Sequence, residues 1–292
     1  MILQILSIIA PVAACAAAGF AWGRLRRPYD VAMATRLVMN VGAPCLVVSS
    51  FQKSAVSRGA LAEVGLAAVA VSVGVALLAL VALRLARLPL RTFLPSVVFQ
   101  NTGNMGLPIC LFAFGDTGLA LAIVVFLWVS TANFTIGVAI YSGESHVGRL
   151  LRTPLVYATA VALALVLTGW RLPVWAARTV EILGGLAIPL MLLTLGFSLA
   201  ALRVRSLSRG LLVAAMRFLF GFGVGLGVAH ALGLSGVARG VVILQASMPP
   251  AVINYMMAER YRRSPEDVAG VVSVATLLSL AAVPVVLWFV LL

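Results

Sequence analysis

The chain has 292 residues, of which 63% are hydrophobic and only 10% are charged, whereas soluble domains carry about 25% charged residues. This balance excludes a soluble globular protein. The net charge of +13 does not indicate nucleic-acid binding, because the positive residues lie in short turns and form no basic stripe interleaved with aromatic residues.

Runs of about 20 apolar residues are typical of membrane-spanning helices. The sequence contains ten such runs, so we predict an all-α membrane protein embedded in the lipid bilayer. The predicted spans cover residues 2–22, 31–51, 61–83, 93–114, 118–141, 154–170, 180–202, 210–232, 240–258 and 268–291.

The charges in the turns predict the orientation of these spans. The turns after the odd-numbered spans hold fifteen positive residues, and the turns after the even-numbered spans hold five. Short loops rich in Lys and Arg stay in the cytoplasm. With ten spans, both termini are therefore expected on the opposite side of the membrane.

Prolines lie at matching places in the two halves of the chain, which are Pro11, Pro44 and Pro108 in the first and Pro154, Pro189 and Pro249 in the second. Each half has an odd number of spans, so the second half must enter the membrane from the opposite side. We therefore predict two inverted five-helix repeats at residues 1–145 and 146–292, an arrangement common among secondary transporters. A chance alignment of three prolines is the alternative.

Two of the apolar runs, spans 4 and 9, are broken in the middle by polar, Gly and Pro residues. The first break reads NTGNMGLP (101–108) and the second ASMPPAVINY (246–255). Irregular backbone at this depth survives only inside protein or beside a cavity. Because Pro suits the first helical turn, we expect Pro108 to begin one new helix and Pro249 or Pro250 another. Two helix N-termini that face each other at mid-membrane favour an anion.

We therefore predict that the two breaks form a binding site for an organic anion. The candidate substrate-binding residues are Asn101, Thr102, Gly103, Asn104, Met105, Gly106, Pro108, Ser247, Met248, Pro249, Pro250, Asn254 and Tyr255. The alternative is that these polar groups only satisfy the broken backbone.

A second set of residues could couple substrate movement to H⁺ or Na⁺. Asn133 and Glu259 are the candidates. Contact between helices is the alternative role for Asn133, and an ion pair with nearby arginines is the alternative for Glu259. We expect Arg217 to extend toward the cytoplasmic interface, with compensation of the substrate's charge as the alternative.

The chain resembles the auxin efflux carrier family, which includes bacterial malate and malonate carriers. The resemblance is carried by FQNTGNMGLPICLFAFGD (99–116), QASMPPAVINYMMAERYRRSPEDVAGVVSVATLLSLAAVP (245–284) and, more weakly, GGLAIPLMLLTLGFSLA (184–200). It implies the fold of the sodium–bile acid symporters, in which the broken spans 4 and 9 cross. Spans 1, 2, 6 and 7 would form a scaffold that dimerises, and spans 3–5 and 8–10 a transport domain that moves like an elevator.

Together these observations predict a secondary transporter of a small carboxylate. Plant members of the family have a long loop between the halves, whereas this chain has a short turn there, so a carrier in a bacterial inner membrane is the expectation. No cofactor, metal site or enzymatic centre is expected. A sodium-coupled symporter, a lipid-modifying membrane enzyme and a membrane substrate sensor are the alternatives.

Overall fold

The computed structural model describes residues 1–54, 56–143, 154–202 and 207–292. The predicted joint between the repeats, at residues 145–146, lies outside them. The described residues are helical and contain no β-strand beyond one isolated bridge. The α-helices are α1 (Ile2–Arg24), α2 (Val31–Leu37), α3 (Ala43–Lys53), α4 (Arg58–Leu85), α5 (Leu90–Val98), α6 (Leu107–Ala132), α7 (Val138–Ser142), α8 (Pro154–Thr168), α9 (Val174–Gly185), α10 (Ala187–Ala201), α11 (Leu207–Ala231), α12 (Gly236–Ala246), α13 (Ile253–Arg260) and α14 (Pro265–Leu291).

Three short π-helical turns interrupt the α-helical pattern in the part of the chain that the structure describes. They cover Val38–Gly42 between α2 and α3, Thr102–Gly106 before α6, and Asn133–Gly137 between α6 and α7. Such turns insert one residue into a helix and occur frequently at functional sites.

Seven helical segments of the described chain are long and apolar enough to cross a membrane. They are Ile2–Arg24, Val31–Lys53, Arg58–Leu85, Thr102–Ser142, Val174–Ala201, Leu207–Ala231 and Pro265–Leu291. The protein is therefore a multi-span membrane protein whose described residues form helices and no strand.

The difference between these seven segments and the ten predicted spans has local causes. The segment Thr102–Ser142 has 41 residues and overlaps two predicted spans, and Gly115 interrupts it with φ 65° and ψ −158°. Helix α8 has only 15 residues. The predicted spans at 93–114 and 240–258 contain the two breaks, so their helical pieces α5, α12 and α13 are short.

Helices α1 and α10 pack with their backbones in contact, and glycines make this possible. A Cβ atom added at Gly196 would overlap the backbone of Ala16 and Phe20, and one added at Gly19 would overlap the backbone of Leu193. Small residues allow this close approach between membrane helices. The contact fixes α10, which forms part of the cavity described below.

Candidate functional site

The two breaks identified in the sequence pair with each other. Helix α5 ends at Val98, α12 ends at Ala246, and the extended segments that follow lie side by side. The Asn101 N–H donates to the Pro249 carbonyl (2.7 Å), and the Ala251 N–H donates to the Phe99 carbonyl (3.1 Å). Each break thus satisfies part of the other's backbone, as irregular backbone away from water requires.

The second proline of the pair occupies a position where a proline is tolerated. Gln100 and Pro250 form an antiparallel bridge, and the two hydrogen bonds above lie on either side of it. In an antiparallel ladder, alternate residue pairs exchange no hydrogen bonds with each other. Pro250 is at such a position, so its missing N–H leaves no carbonyl unpaired.

The prediction that these prolines begin the new helices is correct in part: Pro108 lies at the start of the α-helix α6, after a π-helical turn, whereas neither Pro249 nor Pro250 begins α13. The first helical stretch starts at Thr102 with Asn101 as its N-cap, and the second starts at Ile253. The Asn101 Oδ1 atom accepts from the Asn104 N–H at 3.2 Å, which is the hydrogen bond that makes Asn a strong helix start signal. Pro108 lies further along, in the first turn of α6.

Both helix starts face one cavity of about 100 Å³. The N–H groups of Gly103 and Ile253 have no acceptor among the described residues, and both residues border the cavity. Free N–H groups at a helix start carry partial positive charge and bind anions. The two helix starts therefore supply electropositive backbone to the same space.

Asn101 borders this cavity and has an unpaired side-chain donor. The residue is 4% exposed, and its Nδ2 atom has no hydrogen-bond partner among the described residues. Because Oδ1 accepts from a backbone N–H, the orientation of the amide is fixed and Nδ2 is the atom that remains free.

The cavity lies between two groups of helical segments. One wall comes from the breaks, α6 and α13, and the other from α2, the π-helical turn after it, and α10. All three π-helical turns contribute to its lining. The lining residues are Val31, Thr35, Val38, Met39, Gln100, Asn101, Thr102, Gly103, Asn104, Phe126, Val129, Ser130, Asn133, Phe134, Met191, Thr194, Ser198, Ala251, Val252, Ile253 and Met256.

Five of the sequence-predicted residues border the cavity together, namely Asn101, Thr102, Gly103, Asn104 and Asn133. The others lie outside its lining, and these are Met105, Gly106, Pro108, Ser247, Met248, Pro249, Pro250, Asn254, Tyr255 and Glu259. Glu259 is exposed and accepts a hydrogen bond from the Tyr255 hydroxyl at 3.3 Å.

Asn254 is fully buried, and its side chain joins the two breaks. Its Nδ2 atom donates to the carbonyls of Phe99 (3.0 Å) and Pro95 (3.4 Å), where α5 ends. These contacts correspond to the alternative in which polar groups satisfy the broken backbone.

Asn254→Ala should therefore lower stability. Loss of an amide that serves buried carbonyls costs about 1–3 kcal/mol, so we expect a melting temperature several degrees lower for the purified protein in detergent. Asn104→Ala is the matched control, since Asn104 is half-buried in the opposite break and its side chain is not part of this contact. Equal melting temperatures for the two variants would contradict the assignment.

The second half of the chain matches a family model. Residues 138–287 match the model described as membrane transport protein, a match that includes α10 to α13 and the second break. The chain belongs to the membrane transport protein family, which includes the auxin efflux carriers. Members of this family are membrane transporters and not enzymes.

Individual relatives match different shares of this chain. A stretch of 204 residues is 28% identical to an uncharacterized transporter of Methanothermobacter thermautotrophicus, covering 68% of this chain and 66% of that protein. An uncharacterized transporter of Methanocaldococcus jannaschii is 24% identical over 201 residues, or 65% of each chain. Auxin efflux carrier component 1 of Arabidopsis thaliana is 29% identical over 140 residues, which are 45% of this chain and 22% of that protein. The matches thus span slightly less than two thirds of the first two relatives.

The protein also contains a buried arginine, Arg217, whose position differs from the prediction. Arg217 in α11 is 0% exposed, so the prediction that it extends to the interface is wrong. Its guanidinium donates to the carbonyls of Val97 and Ala246, and more weakly to Val98 at 3.5 Å. These carbonyls lie at the C-terminal ends of α5 and α12, the two helices that precede the breaks. Carbonyl ends of helices carry partial negative charge, which the guanidinium offsets.

A glycine one helical turn along α11 makes room for this contact. A Cβ atom at Gly221 would overlap both the Ala246 carbonyl and the Arg217 guanidinium. The signal available in the sequence was therefore the pair Arg217 and Gly221 on one face of an apolar helix. The lining residues from α2 and α10 carried no comparable signal, because isolated Thr, Ser and Met residues are ordinary in membrane helices.

Proposed function

We propose that this membrane transporter is a secondary carrier of a small organic carboxylate, which binds in the cavity at the two paired breaks. The observation that carries the proposal is that three residues bordering one cavity have free hydrogen-bond donors, namely the Gly103 and Ile253 N–H groups and Asn101 Nδ2. No charged side chain lines this cavity among the described residues. A carboxylate would meet hydrogen-bond donors there without a competing anion.

We further propose ten spans arranged as two inverted repeats. A continuous helix of 41 residues would extend about 60 Å, which is twice the thickness of the hydrocarbon core, about 30 Å. The interruption at Gly115 allows this segment to form the end of one span and the whole of the next. The pairs α5 with α6 and α12 with α13 would form the two broken spans, and α8 the short sixth span. The excess of positive residues in alternate turns supports termini outside the cytoplasm of a bacterial cell.

An elevator-type motion is the mechanism we propose. The two walls of the cavity coincide with the division into scaffold and transport domain that the family resemblance implies. Movement of the wall that carries the breaks against α2 and α10 would expose the carboxylate to the other side of the membrane. Dimerisation through the scaffold belongs to the same proposal, and so does coupling to H⁺ or Na⁺, for which Asn133 is the candidate beside the cavity.

Substitutions at Asn101 test the carboxylate site. Asp and Ser are as good as Asn at a helix N-cap, so both should leave the helix start and the melting temperature unchanged. Asn101→Ser removes the free donor, and Asn101→Asp also adds a negative charge. A hydrogen bond to a charged group contributes about 1.5–3 kcal/mol, so we expect carboxylate affinity to fall roughly tenfold to a hundredfold in the Ser variant and further in the Asp variant.

The measurement is uptake of radiolabelled carboxylates into proteoliposomes, with the substrate found by a thermal-shift screen of mono- and dicarboxylates at varied sodium concentration and pH. Binding stabilises the folded state by mass action, so an acid that binds raises the melting temperature and the screen itself selects the substrate. Wild-type affinity in the Asn101→Asp variant would exclude this cavity as the carboxylate site.

A further inference from the structure

Three helices end in the same way, with an arginine at a position where glycine is usual. Helices α1, α4 and α13 are followed by Arg26, Arg87 and Arg262, each with a φ of 53°. In each turn the N–H of this arginine donates to the carbonyl three residues back, and the next N–H donates to the carbonyl five residues back. Glycine is common at this left-handed position because a side chain makes the conformation costly.

Helix α11 ends with the same pair of hydrogen bonds, and there the left-handed residue is Gly233. The charges in the turns assign the ends of α1, α4 and α13 to the cytoplasmic side and the end of α11 to the opposite side. Of these four turns, the three with arginine therefore share one face of the membrane. The backbone geometry is the same in all four, so it does not account for the choice of arginine.

Compensation of the helix dipole does not account for it either. A cation near the carbonyl end stabilises a helix. An arginine already occupies the last turn of each of these helices, namely Arg24, Arg84 and Arg260. The three arginines at the left-handed positions are exposed, and their guanidinium groups make no hydrogen bond or ion pair with the described residues. Their donors are therefore available to a partner outside the chain.

The neighbours of these arginines indicate the level of the lipid headgroups. Leu25, directly before Arg26, is 69% exposed, and Leu85, two residues before Arg87, is 80% exposed. Exposed leucines at the end of a spanning helix suit hydrocarbon, whereas an arginine beside them extends to the interface. The third arginine follows Tyr261, a residue type that is enriched at membrane interfaces. Each arginine thus lies where hydrocarbon meets phosphate groups.

We propose that Arg26, Arg87 and Arg262 bind the headgroups of anionic phospholipids in the cytoplasmic leaflet. The planar guanidinium group matches a phosphate with two parallel hydrogen bonds. A basic residue beside the membrane contributes about fivefold to the affinity for an anionic surface, so the three together should contribute about a hundredfold. This lipid site is separate from the cavity and goes beyond the proposed carboxylate transport.

The test follows the melting temperature of the full purified chain in detergent while phosphatidylglycerol or phosphatidylcholine is added. Binding stabilises the folded state by mass action, so phosphatidylglycerol should raise the melting temperature at much lower concentration, and high salt should reduce this difference. The combined variant Arg26→Gly, Arg87→Gly and Arg262→Gly should need about a hundredfold more phosphatidylglycerol for the same shift. It should fold, because glycine suits the left-handed turn and twelve of the fifteen positive residues that orient the chain remain.

The matched control removes three arginines from the opposite side, with Arg171→Gln, Arg178→Gln and Arg239→Gln, and should keep the phosphatidylglycerol effect. Asparagine at the three left-handed positions is a second uncharged set, since it also adopts this conformation. The proposal is overturned if the two lipids act equally on the wild type, if the effect survives in the Gly and Asn sets, or if the control loses it equally. An equal shift with inorganic phosphate would assign the site to a free anion and also overturn it. Carboxylate binding is measured by adding acids, so either proposal can fail without the other.

Discussion

Arg217→Met should prevent most of the protein from reaching a stable folded state. The substitution keeps an unbranched side chain, which is shorter and uncharged, and removes the donors that serve the Val97 and Ala246 carbonyls. Each buried carbonyl left without its donor costs about 1–3 kcal/mol, and the loss at two carbonyls is a large fraction of the stability of an ordinary domain. We expect strongly reduced yield from membranes and a melting temperature lower by about ten degrees or more in the residual protein.

Arg217→Lys should give an intermediate result, since an ammonium group keeps the charge but lacks the planar fork of donors that reaches carbonyls on two helices. Arg209→Met is the matched control on the same helix. Arg209 is paired with Asp267 at 3.4 Å and its side chain is 57% exposed, and such surface pairs contribute at most about 1 kcal/mol. A Met variant at 217 that is as stable as the Met variant at 209 would show that the helix ends need no fixed positive charge.

The breaks themselves could be predicted from the sequence because they violate the pattern around them. Asn, Gly and Pro in the middle of apolar runs are costly unless the backbone is irregular there. The structure interrupts α5 and α12 within a few residues of the predicted places. The turn expected between residues 114 and 118 likewise coincides with Gly115, whose backbone angles are non-helical.

The pairing between the breaks was beyond sequence reasoning. The positions of the prolines in the second break favoured a helix start there. The Gln100–Pro250 bridge, however, requires two segments 150 residues apart in the chain to come into register. Once they pair, Pro250 is held in an extended conformation and the helix can begin only after it. Local propensity was overridden here by a tertiary contact that satisfies more backbone groups.

Only part of the cavity lining could be predicted, for a related reason. Asn101 and Asn104 were conspicuous because they are polar within an apolar span, whereas Met39, Met191 and Phe134 look like any lipid-facing or packing residue. The π-helical turns that direct residues into the cavity have no compositional signature, since one inserted residue leaves the apolar pattern intact. Arg217 was misplaced because its distance along the chain from the interface does not reveal whether a long side chain turns inward.

Gly196→Leu should separate α1 from α10 and abolish transport. A Cβ atom at this position would overlap backbone atoms of Ala16 and Phe20, and backbone cannot move aside as a flexible side chain can. Overpacking a close contact costs about 1–3 kcal/mol for small additions, and a whole Leu side chain against backbone should exceed that. Because α10 supplies Met191, Thr194 and Ser198 to the cavity, its displacement should also disrupt the wall opposite the breaks.

Gly223→Leu is the control, because nothing lies within 4 Å of a Cβ added at Gly223 in α11. Replacing an unpacked helical Gly usually raises helix stability slightly, so this variant should melt and transport like the wild type. Gly196→Ala should fall between the two, since even one methyl group enters the contact. The measurements are melting temperature in detergent and uptake in proteoliposomes, and a graded loss from Gly to Ala to Leu at position 196 is the expected signature. Equal behaviour of Leu at positions 196 and 223 would mean that the α1–α10 contact does not hold the cavity wall in place.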